Sequence, residues 1–318
     1  MLTKQLKIAV SGSLAYDQIM DFPGTFSEHI LPESIHNLNL SFLVDNLTTS
    51  FGGTAGNIAY NLSLFNIKPI ILGIVGFDFL DYQKWLKKRG IDLRRIKIVP
   101  GVKTATAYII TDQRDNQIAS FYPGPNVRNY VKSIAQNLRN IDLAIISPDN
   151  KKRMLEYATL YRTNKIPFVF DPGQALTAFS APELERGIKG AQVLIGNDYE
   201  IKLITSKLKI NFKELRRLVE ILVITKGGQG SEIYRGEKKI VIKSAKPKNT
   251  SDPTGAGDAY RAGLIKGLIT GYNLKTCGQI AALSAVYTVE KYGTQTHTFS
   301  LLGFKKRYKA NFGETLKI

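Results

Sequence analysis

Residues 251–268 place groups that could do chemistry directly before a helix, in the stretch SDPTGAGDAYRAGLIKGL. A glycine turn precedes an apolar pattern with helical spacing, so the backbone N–H groups of Gly255, Ala256, Gly257 and Asp258 would lack a helical partner. Such amides, together with the helix dipole, form a site for an anion such as phosphate. The Asp258 carboxylate would repel phosphate, but it could take a proton from a hydroxyl group that attacks the phosphate. The stretch is therefore compatible with phosphoryl transfer, with Asp258 as the base.

An isolated stretch of this kind also has a simpler explanation. An acidic residue in the first turn of a helix is stabilised by the helix dipole and needs no chemical role. The choice between the two explanations depends on the other functional groups that the chain contains.

Two segments near the N-terminus offer groups for a ligand that carries hydroxyl groups. Gly52 and Gly53 precede a predicted helix that contains Asn57, so the backbone could approach a ligand closely while the Asn57 amide donates and accepts. Asp17 follows the strand-like run KIAVSGS, and a carboxylate can accept hydrogen bonds from two vicinal hydroxyl groups. A common glycine turn and an acid in a surface loop are the alternatives without a function.

Short apolar runs that end in Gly, Asp, Asn or Pro recur along the chain and alternate with stretches of helical spacing. The runs are LKIAVSGS, KPIILGIVGFD, IDLAIISPD, IPFVFDPG, AQVLIGND and ILVITKGG. This pattern predicts an α/β fold with a central, mostly parallel sheet flanked by helices on both faces. Ligands bind such sheets beyond the carboxyl ends of the strands, where the polar residues that end these runs would collect.

Two regions depart from this alternation of apolar runs and helical stretches, and they predict a second, smaller sheet. Residues 36–50 and 103–122 alternate apolar and polar residues and are rich in Thr, Tyr and Ile, which is typical of strands with one solvated face. We expect a small β-sheet lid formed by segments at about 15–22, 36–50 and 102–123. The lid would belong to a single domain that spans residues 1–318.

The composition limits the class of protein. The net charge of +18 comes from scattered basic clusters without a helix-turn-helix, zinc or RNP pattern. A solvated surface explains this charge most simply. The alternatives are that it attracts polyanionic small molecules or that it binds nucleic acid, and we expect no nucleic-acid partner. No apolar stretch reaches the roughly 18 residues of a membrane span, and no signal peptide is recognisable. With the single cysteine, Cys277, this predicts a cytoplasmic protein without a membrane partner.

Three motifs occur in a fixed order along the chain. They are Phe51-Gly52-Gly53-Thr54-Ala55-Gly56-Asn57, Asn197-Asp198-Tyr199-Glu200 and Asp252-Pro253-Thr254-Gly255-Ala256-Gly257-Asp258. Together they resemble the glycine motif, the N-x-x-E motif and the D-[TP]-x-G-A-G-D signature of the ribokinase-like (PfkB) carbohydrate kinases. The resemblance covers essentially the whole chain. It implies a ribokinase-like fold and ATP-dependent phosphorylation of a hydroxyl group, with Asp258 as the catalytic base and Gly255, Ala256 and Gly257 around the transferring phosphate.

Within that family, the stretches SGSLAYDQIMDFPG, ASFYPG and DPTGAGDAYRAG are similar to bacterial adenosine kinases. This likeness implies a nucleoside kinase of purine salvage that phosphorylates the 5′-hydroxyl of adenosine or another purine nucleoside. A ribose or fructose kinase of the same family is the alternative enzyme. A non-catalytic sugar or nucleotide sensor is a third interpretation, against which the intact Asp258 and the NDYE motif argue.

The resemblance also assigns residues to the sugar and to a metal ion. Asp17, Gly53 and Asn57 would hold the ribose. Asn197 and Glu200 would position Mg²⁺ through water, since this ion prefers oxygen ligands and usually keeps several waters. A pair of residues that caps a helix is the alternative for Asn197 and Glu200.

For ATP, the resemblance implies a nucleotide loop after the run ILVIT. Its residues are Thr225, Gly227 and Gly230 in TKGGQG, and Asn197 would also contact the nucleotide. Glycine-rich turns are frequent, and no Walker A pattern is present.

Family members often use K⁺ beside the anion site. The matching positions are Asp252, the carbonyl group of Thr254 and the turn at Gly293, so the resemblance implies a K⁺ site there. As a further partner, we expect a second copy of the chain in a homodimer through the lid.

The base of the nucleoside would lie against the lid. Phe121 in ASFYPG could stack on a purine, or it could simply pack under the lid. Ser13 and Gln174 are polar groups that could contact the base. Adenosine kinases often carry a second aromatic residue where this chain has Ala107, and this departure puts strict adenosine specificity in doubt.

Overall fold

The computed structural model describes residues 6–30, 40–114, 116–128, 130–135, 138 and 140–317. The strands are β1 Ile8–Ser11, β2 Ala15–Asp21, β3 Asn46–Gly52, β4 Ile70–Val75, β5 Ile96–Ile98, β6 Ala105–Thr111, β7 Gln117–Tyr122, β8 Leu143–Ile146, β9 Phe168–Phe170, β10 Val193–Asn197, β11 Ile221–Thr225, β12 Ser231–Arg235 and β13 Lys238–Ile242. The helices are α1 Thr54–Leu64, α2 Leu80–Lys88, α3 Val131–Ile134, α4 Lys151–Thr163, α5 Ala181–Ile188, α6 Asp198–Leu208, α7 Phe212–Arg217, α8 Ala256–Ile269, α9 Leu274–Val289 and α10 Leu301–Phe312.

The main sheet has nine strands in the order β13-β12-β11-β10-β9-β8-β1-β4-β5. The strands from β11 to β5 in this order are parallel, and β12 and β13 extend the sheet with antiparallel pairing. Strands β1 and β8 are buried along their whole length, which explains their continuous apolar sequence. The predicted α/β fold class is confirmed.

Helices cover both faces of this sheet, and each face has its own apolar core. Along β1, Ile8 and Val10 point into one core and Ala9 into the other, as the two-residue period of a strand requires. The first core contains Ile58 of α1, Leu264 of α8, Ile280 of α9 and Phe304 of α10, and the second contains Met154 of α4, Leu184 of α5 and Ile201 of α6. In the described ranges, no helix combines the length and the apolar character that crossing a membrane would require.

The second sheet has four strands in the order β3-β2-β6-β7, and we call it the lid. Strands β2 and β6 are parallel, whereas the other two pairs are antiparallel. The register places Asp17 beside Ala107 and Ala107 beside Phe121, so these side chains share one face of the lid.

One lid boundary differs from the sequence prediction. The strand expected within residues 36–50 begins only at Asn46, and residues 40–45 form no strand; residues 36–39 lie outside the described ranges. Phe42 instead packs edge-on against Phe22 and Phe26, with ring centroids 4.9 and 5.2 Å away. The apolar residues of this segment therefore include packing positions of an aromatic cluster rather than a strand face.

Candidate active site

A cleft of about 470 Å³ lies at the carboxyl ends of the main-sheet strands, below the lid. Segments that follow or end β1, β8, β9, β10 and β11 line it. The lid adds Asp17 and Phe121, and the starts of α1 and α8 add Asn57 and Asp258. The location agrees with the rule for ligand sites in parallel sheets.

Most of the predicted site residues meet in this cleft. They are Ser13, Asp17, Gly53, Asn57, Phe121, Gln174, Asn197, Glu200, Thr225, Thr254, Gly255, Gly257 and Asp258. Gly227, Gly230 and Ala256 line a neighbouring cavity of about 390 Å³, which Thr225 and Gly257 also reach. Asp252 and Gly293 line neither of the two.

The start of α8 depends on Gly255. This residue has a φ of 77°, which a glycine adopts without strain. A Cβ atom here would lie 2.9 Å from Cγ2 of Thr294, so a larger residue would push the turn away. Within the described part of the chain, no side chain caps the helix at this position.

The amides of this turn differ in one respect from the prediction. Ala256 N–H donates to the carbonyl oxygen of Pro253 at 3.2 Å, so it is used inside the turn and the expectation of a free amide there was wrong. The reason is local, because the tight turn brings the two groups together. Among the described residues, Gly255, Gly257 and Asp258 have no acceptor for their backbone N–H groups, which leaves these three amides for a ligand.

Asp258 projects from the first turn of α8 into the cleft. Asn57 Nδ2 donates to Asp258 Oδ2 at 2.8 Å. Burial raises the pKa of Asp258 to about 6, while the Arg261 guanidinium and the Asn57 hydrogen bond oppose this rise. A carboxyl group with such a pKa is ionised at neutral pH and binds a proton far more readily than an ordinary aspartate.

An ion pair beside Asp258 was not predicted from the sequence. Arg261 donates to Asp171 through both Nε and Nη2, the latter at 2.7 Å, and Arg261 Nη1 donates to the carbonyl oxygen of Gly257 at 3.0 Å. Arg261 is the one basic side chain among the described residues that line the cleft. The sequence contains two features that place both residues near the site. Asp171 lies at the polar end of the run IPFVFDPG, and Arg261 lies one helical turn after Asp258.

Asp17 and Gly53 lie at the lid side of the cleft. Burial, with a contribution from the charge of Asp252, raises the pKa of Asp17 to about 6. Gly53 has a φ of 85°, and a Cβ atom there would lie 2.6 Å from the carbonyl oxygen of Ser13. The backbone therefore passes closer to its neighbours at Gly53 than any other residue type would allow.

Asn197 and Glu200 form the capping pair that the sequence left open. Glu200 N–H donates to Asn197 Oδ1 at 2.7 Å, and Asn197 N–H donates to Glu200 Oε2 at 2.8 Å. This capping box starts α6. The capping box uses Oε2 of Glu200 and leaves Oε1 for the cleft. Burial raises the pKa of Glu200.

Asp252 joins two turns beside the start of α8. Its Oδ1 accepts from Thr254 N–H at 2.8 Å and its Oδ2 from Gly293 N–H at 3.0 Å. The three residues of the predicted K⁺ site are therefore neighbours.

The remaining predicted residues surround the lid side of the cleft. The Ser13 hydroxyl accepts from Thr54 N–H at 3.1 Å and so supports the start of α1. Phe121 is 59% exposed, and the small Ala107 side chain lies beside it on the same lid face. Gln174 follows β9 in a short 3₁₀ turn.

The neighbouring cavity was predicted from the sequence only in part, since the loop with Thr225, Gly227 and Gly230 was expected to hold a nucleotide but the α9 wall was not. Small apolar residues of α9 form one wall, namely Ala282, Ala285, Val286 and Val289, and the loop after β11 forms another. Its mostly apolar lining suits an aromatic base. No single motif marks it, because its walls come from distant segments.

A family model described as pfkB family carbohydrate kinase matches residues 10–299. The chain belongs to this family. The nucleoside kinase of Methanothermobacter thermautotrophicus is 36% identical over 284 residues, which cover 86% of this chain and 90% of that protein.

Solved structures give the same relationship. Burkholderia thailandensis nucleoside kinase in complex with inosine superposes with a TM-score of 0.86 at 34% identity, covering 98% of this chain and 100% of that one. Methanocaldococcus jannaschii nucleoside kinase, described as an archaeal member of the ribokinase family, has a TM-score of 0.85 at 29% identity, with 96% and 98% coverage. The predicted family, the ribokinase-like fold and the likeness to nucleoside kinases are confirmed.

Proposed function

We propose that this protein is an ATP-dependent kinase that transfers a phosphoryl group to the 5′-hydroxyl of a purine nucleoside, yielding the nucleoside monophosphate and ADP. The observation that carries the proposal is the position of Asp258. It lines the cleft that has groups for a ribose, and the preceding residue, Gly257, lines both this cleft and a second cavity that suits the base of a nucleotide. The unpaired amides of Gly255, Gly257 and Asp258 lie at the same turn.

The cleft supports a nucleoside as the acceptor. Asp17 and Asn57 supply acceptors and donors for the ribose hydroxyl groups, and Gly53 permits close approach. The exposed Phe121 ring offers a flat surface for the base, with Ser13 and Gln174 as polar neighbours. The related Burkholderia kinase was solved with inosine, which supports a purine nucleoside.

The second cavity supports a nucleotide as the donor. A nucleotide could place its base between α9 and the loop that contains Gly227 and Gly230. Its phosphate chain would then point towards the start of α8, because both cavities share Gly257 and Thr225. The Burkholderia kinase was also solved with ADP-inosine, which supports this arrangement of donor and acceptor.

The reaction uses few protein groups. Asp258 takes the proton of the 5′-hydroxyl while that oxygen bonds to the γ-phosphorus and the bond from phosphorus to the bridging oxygen breaks. The amides of Gly255, Gly257 and Asp258 hold the transferring group, and Arg261 adds positive charge. The lid excludes water that would compete as the acceptor.

Mg²⁺ fits the residues beside the donor. Asn197 and Glu200 already bond to each other's backbone, so they suit a metal ion that keeps its waters better than one bound directly. When bound, Mg²⁺ would neutralise charge on the phosphates.

K⁺ would bind near Asp252, the Thr254 carbonyl group and Gly293 and order the turn before α8. We expect higher turnover in K⁺ than in Na⁺ at matched ionic strength. Equal rates in the two salts would contradict the K⁺ site.

The same proposal covers the organisation of the chain. Residues 1–318 form one kinase domain with a lid, and the protein acts in the cytoplasm, where ATP is available. The outer lid face exposes Leu47, Tyr108 and Ile118, which a homodimer through the lid would cover. Light scattering of the wild-type protein and of a Leu47→Lys variant tests the dimer. We expect a dimer for the wild type and a monomer for the variant, and a monomeric wild-type protein would contradict the proposal.

A turnover assay with ATP and a panel of acceptors tests the function. Inosine, guanosine, adenosine, cytidine, ribose and fructose are compared by kcat/KM. We expect the purine nucleosides to be best and free ribose to be far poorer, because it leaves the Phe121 surface uncovered. A highest kcat/KM for ribose or fructose would favour the sugar-kinase alternative, and no turnover with any acceptor would favour a sensor.

A further inference from the structure

A chain of hydrogen bonds runs from Asp258 into the body of the protein, away from the cleft. Asn57 Nδ2 donates to Asp258 Oδ2 at 2.8 Å, and Gln295 Nε2 donates to Asn57 Oδ1 at 3.0 Å. Trp85 Nε1 donates to Gln295 Oε1 at 3.0 Å. The chain thus connects α8, α1, the segment between α9 and α10, and α2.

Gln295 is fully engaged at the centre of this chain. Its Nε2 also contacts the Tyr82 hydroxyl at 2.6 Å, and that hydroxyl donates to the carbonyl oxygen of Gly52 at 2.8 Å. Gln295 is 4% exposed and Tyr82 is 0% exposed, so solvent cannot replace these partners. Both hydrogens of the Gln295 amide and its oxygen are used.

The direction of the chain follows from the chemistry of its outer end. An indole N–H can only donate, so Trp85 requires the oxygen of the Gln295 side chain to face it. The Gln295 NH₂ group then faces Asn57, which must present its oxygen to Gln295 and its own NH₂ group to Asp258. An ionised carboxylate can only accept, so this is the one direction that satisfies Asp258.

We propose that Gln295 is a positioning residue for the catalytic base, and that the Trp85 N–H group, together with the Tyr82 hydroxyl, sets the direction of the whole chain. If Asn57 turned over, its oxygen would oppose the Asp258 carboxylate, which would lose a hydrogen bond and gain repulsion. The inference rests on the proposed function only in taking Asp258 as the base. We call the series Trp85, Gln295 and Asn57 the relay.

The relay has a distinctive kinetic consequence. A ribose hydroxyl group can donate or accept, so it would bind to either end of the Asn57 amide. The Asp258 carboxylate tolerates only one end. A disturbed relay should therefore lower kcat while leaving KM for the nucleoside nearly unchanged, which a general loss of structure would not do.

Two variants test the relay. Trp85→Phe keeps a ring but removes the N–H donor, so Gln295 loses one of the two partners that fix its orientation, the other being the Tyr82 hydroxyl. Gln295→Glu cannot donate to Asn57 when ionised, so it favours the reversed Asn57. Because a hydrogen bond to a charged group is lost, we expect kcat to fall severalfold for Trp85→Phe and roughly tenfold or more for Gln295→Glu, at nearly constant KM.

Arg89→Gln is the matched control. The Arg89 guanidinium lies over the same Trp85 ring at 4.7 Å, so this variant disturbs the packing of Trp85 without removing its N–H group. We expect wild-type kcat for this control. Tm is measured for all three variants to show that they fold. If Gln295→Glu does not fold, Trp85→Phe alone decides the test.

The outcomes separate the relay from the proposed function. Wild-type kcat in Trp85→Phe, or equal losses in Trp85→Phe and Arg89→Gln, would overturn the relay while the function stands. A rise in KM in proportion to the loss of kcat would also overturn it. If the wild-type protein phosphorylates only sugars, the nucleoside proposal fails, and the same kcat ratios with that sugar still decide the relay.

Discussion

The pKa of Asp258, and with it the ability of this residue to act as a base, depends on the neighbouring groups and not only on its being an aspartate. Burial disfavours its charge, whereas the Asn57 hydrogen bond and the Arg261 guanidinium favour it, and the result is a pKa of about 6. A base with such a pKa is ionised near neutral pH and still accepts a proton readily, which suits the removal of a hydroxyl proton during phosphoryl transfer.

Asp258→Asn tests the base directly. The amide keeps the shape of the side chain and can still accept from Asn57, but it cannot take the hydroxyl proton. We expect nucleotide binding to persist and kcat to fall by roughly 10²–10⁴-fold, the usual contribution of a general base. Asp81→Asn, the same change in the first turn of α2 at an exposed site, is the control and should keep wild-type activity. Activity of Asp258→Asn within about threefold of wild type would remove the assigned role.

The Arg261–Asp171 pair predicts pH shifts in opposite directions. The base must be deprotonated, so kcat/KM should fall as the pH drops through the pKa of Asp258, about 6. Arg261→Gln removes a positive charge and should move this acid limb to higher pH. Asp171→Asn removes a negative charge and should move it to lower pH. Shifts in the same direction, measured for variants with intact Tm, would contradict the electrostatic role of the pair.

At the scale of elements, the lid and the start of α8 meet across the cleft. The lid register places Ala107 directly beside Phe121 on the face that also carries Asp17. A ligand base would therefore have one aromatic neighbour on this face, beside a small side chain. This arrangement explains why we expect several purine nucleosides to be accepted.

Ala107→Phe should narrow the range of acceptors. A second aromatic surface would add roughly 0.5–1.5 kcal/mol of stacking, up to about tenfold in affinity, for flat purines. The ribose contacts of Asp17 and Asn57 would stay the same, so the gain should appear for nucleosides and not for free ribose. Ser120→Phe adds the same ring to the opposite lid face, beside Tyr108, and should leave the relative kcat/KM values of the acceptors unchanged. An unchanged ratio of kcat/KM for purine and pyrimidine nucleosides in Ala107→Phe would contradict the assigned base site.

At the scale of the whole molecule, the charge of the surface and that of the cleft differ. The chain carries a net charge of +18, yet among the described residues that line the cleft, carboxylates outnumber the single arginine. A basic surface attracts polyanionic nucleotides from a distance, whereas the acidic cleft requires a cation to accompany them. The long-range field should therefore act on the donor and not on the neutral nucleoside.

Varying the ionic strength tests whether the surface charge attracts the nucleotide donor. Raising the salt concentration at constant K⁺ should lower kcat/KM for MgATP severalfold, because salt screens exposed charges over about 10 Å at 0.1 M. The value for the uncharged nucleoside, measured at saturating MgATP, should change little. Equal salt dependence for both substrates would show that the surface charge does not guide the donor.

The local features of the site could be predicted from the sequence because neighbouring residues determine them. A glycine turn before an apolar helical pattern specifies where α8 starts, and continuous apolar runs specify buried parallel strands whose polar ends collect at one edge. The family signatures then indicated which residues belong together, and the structure brings most of them into one cleft. Their individual roles stay predictions.

Only the tertiary structure decided which distant residues touch. Arg261 pairs with Asp171 across 90 positions, and Gln295 bonds to Trp85 across 210. Neither contact has a local pattern, because hydrogen-bond partners in a core are chosen by how helices and strands pack and not by the spacing of residues. The same reason explains the apolar second cavity and the amide that the Pro253 carbonyl group occupies. The sequence alone determined the chemistry that the residues could perform, and the packing determined the charges and hydrogen bonds under which they perform it.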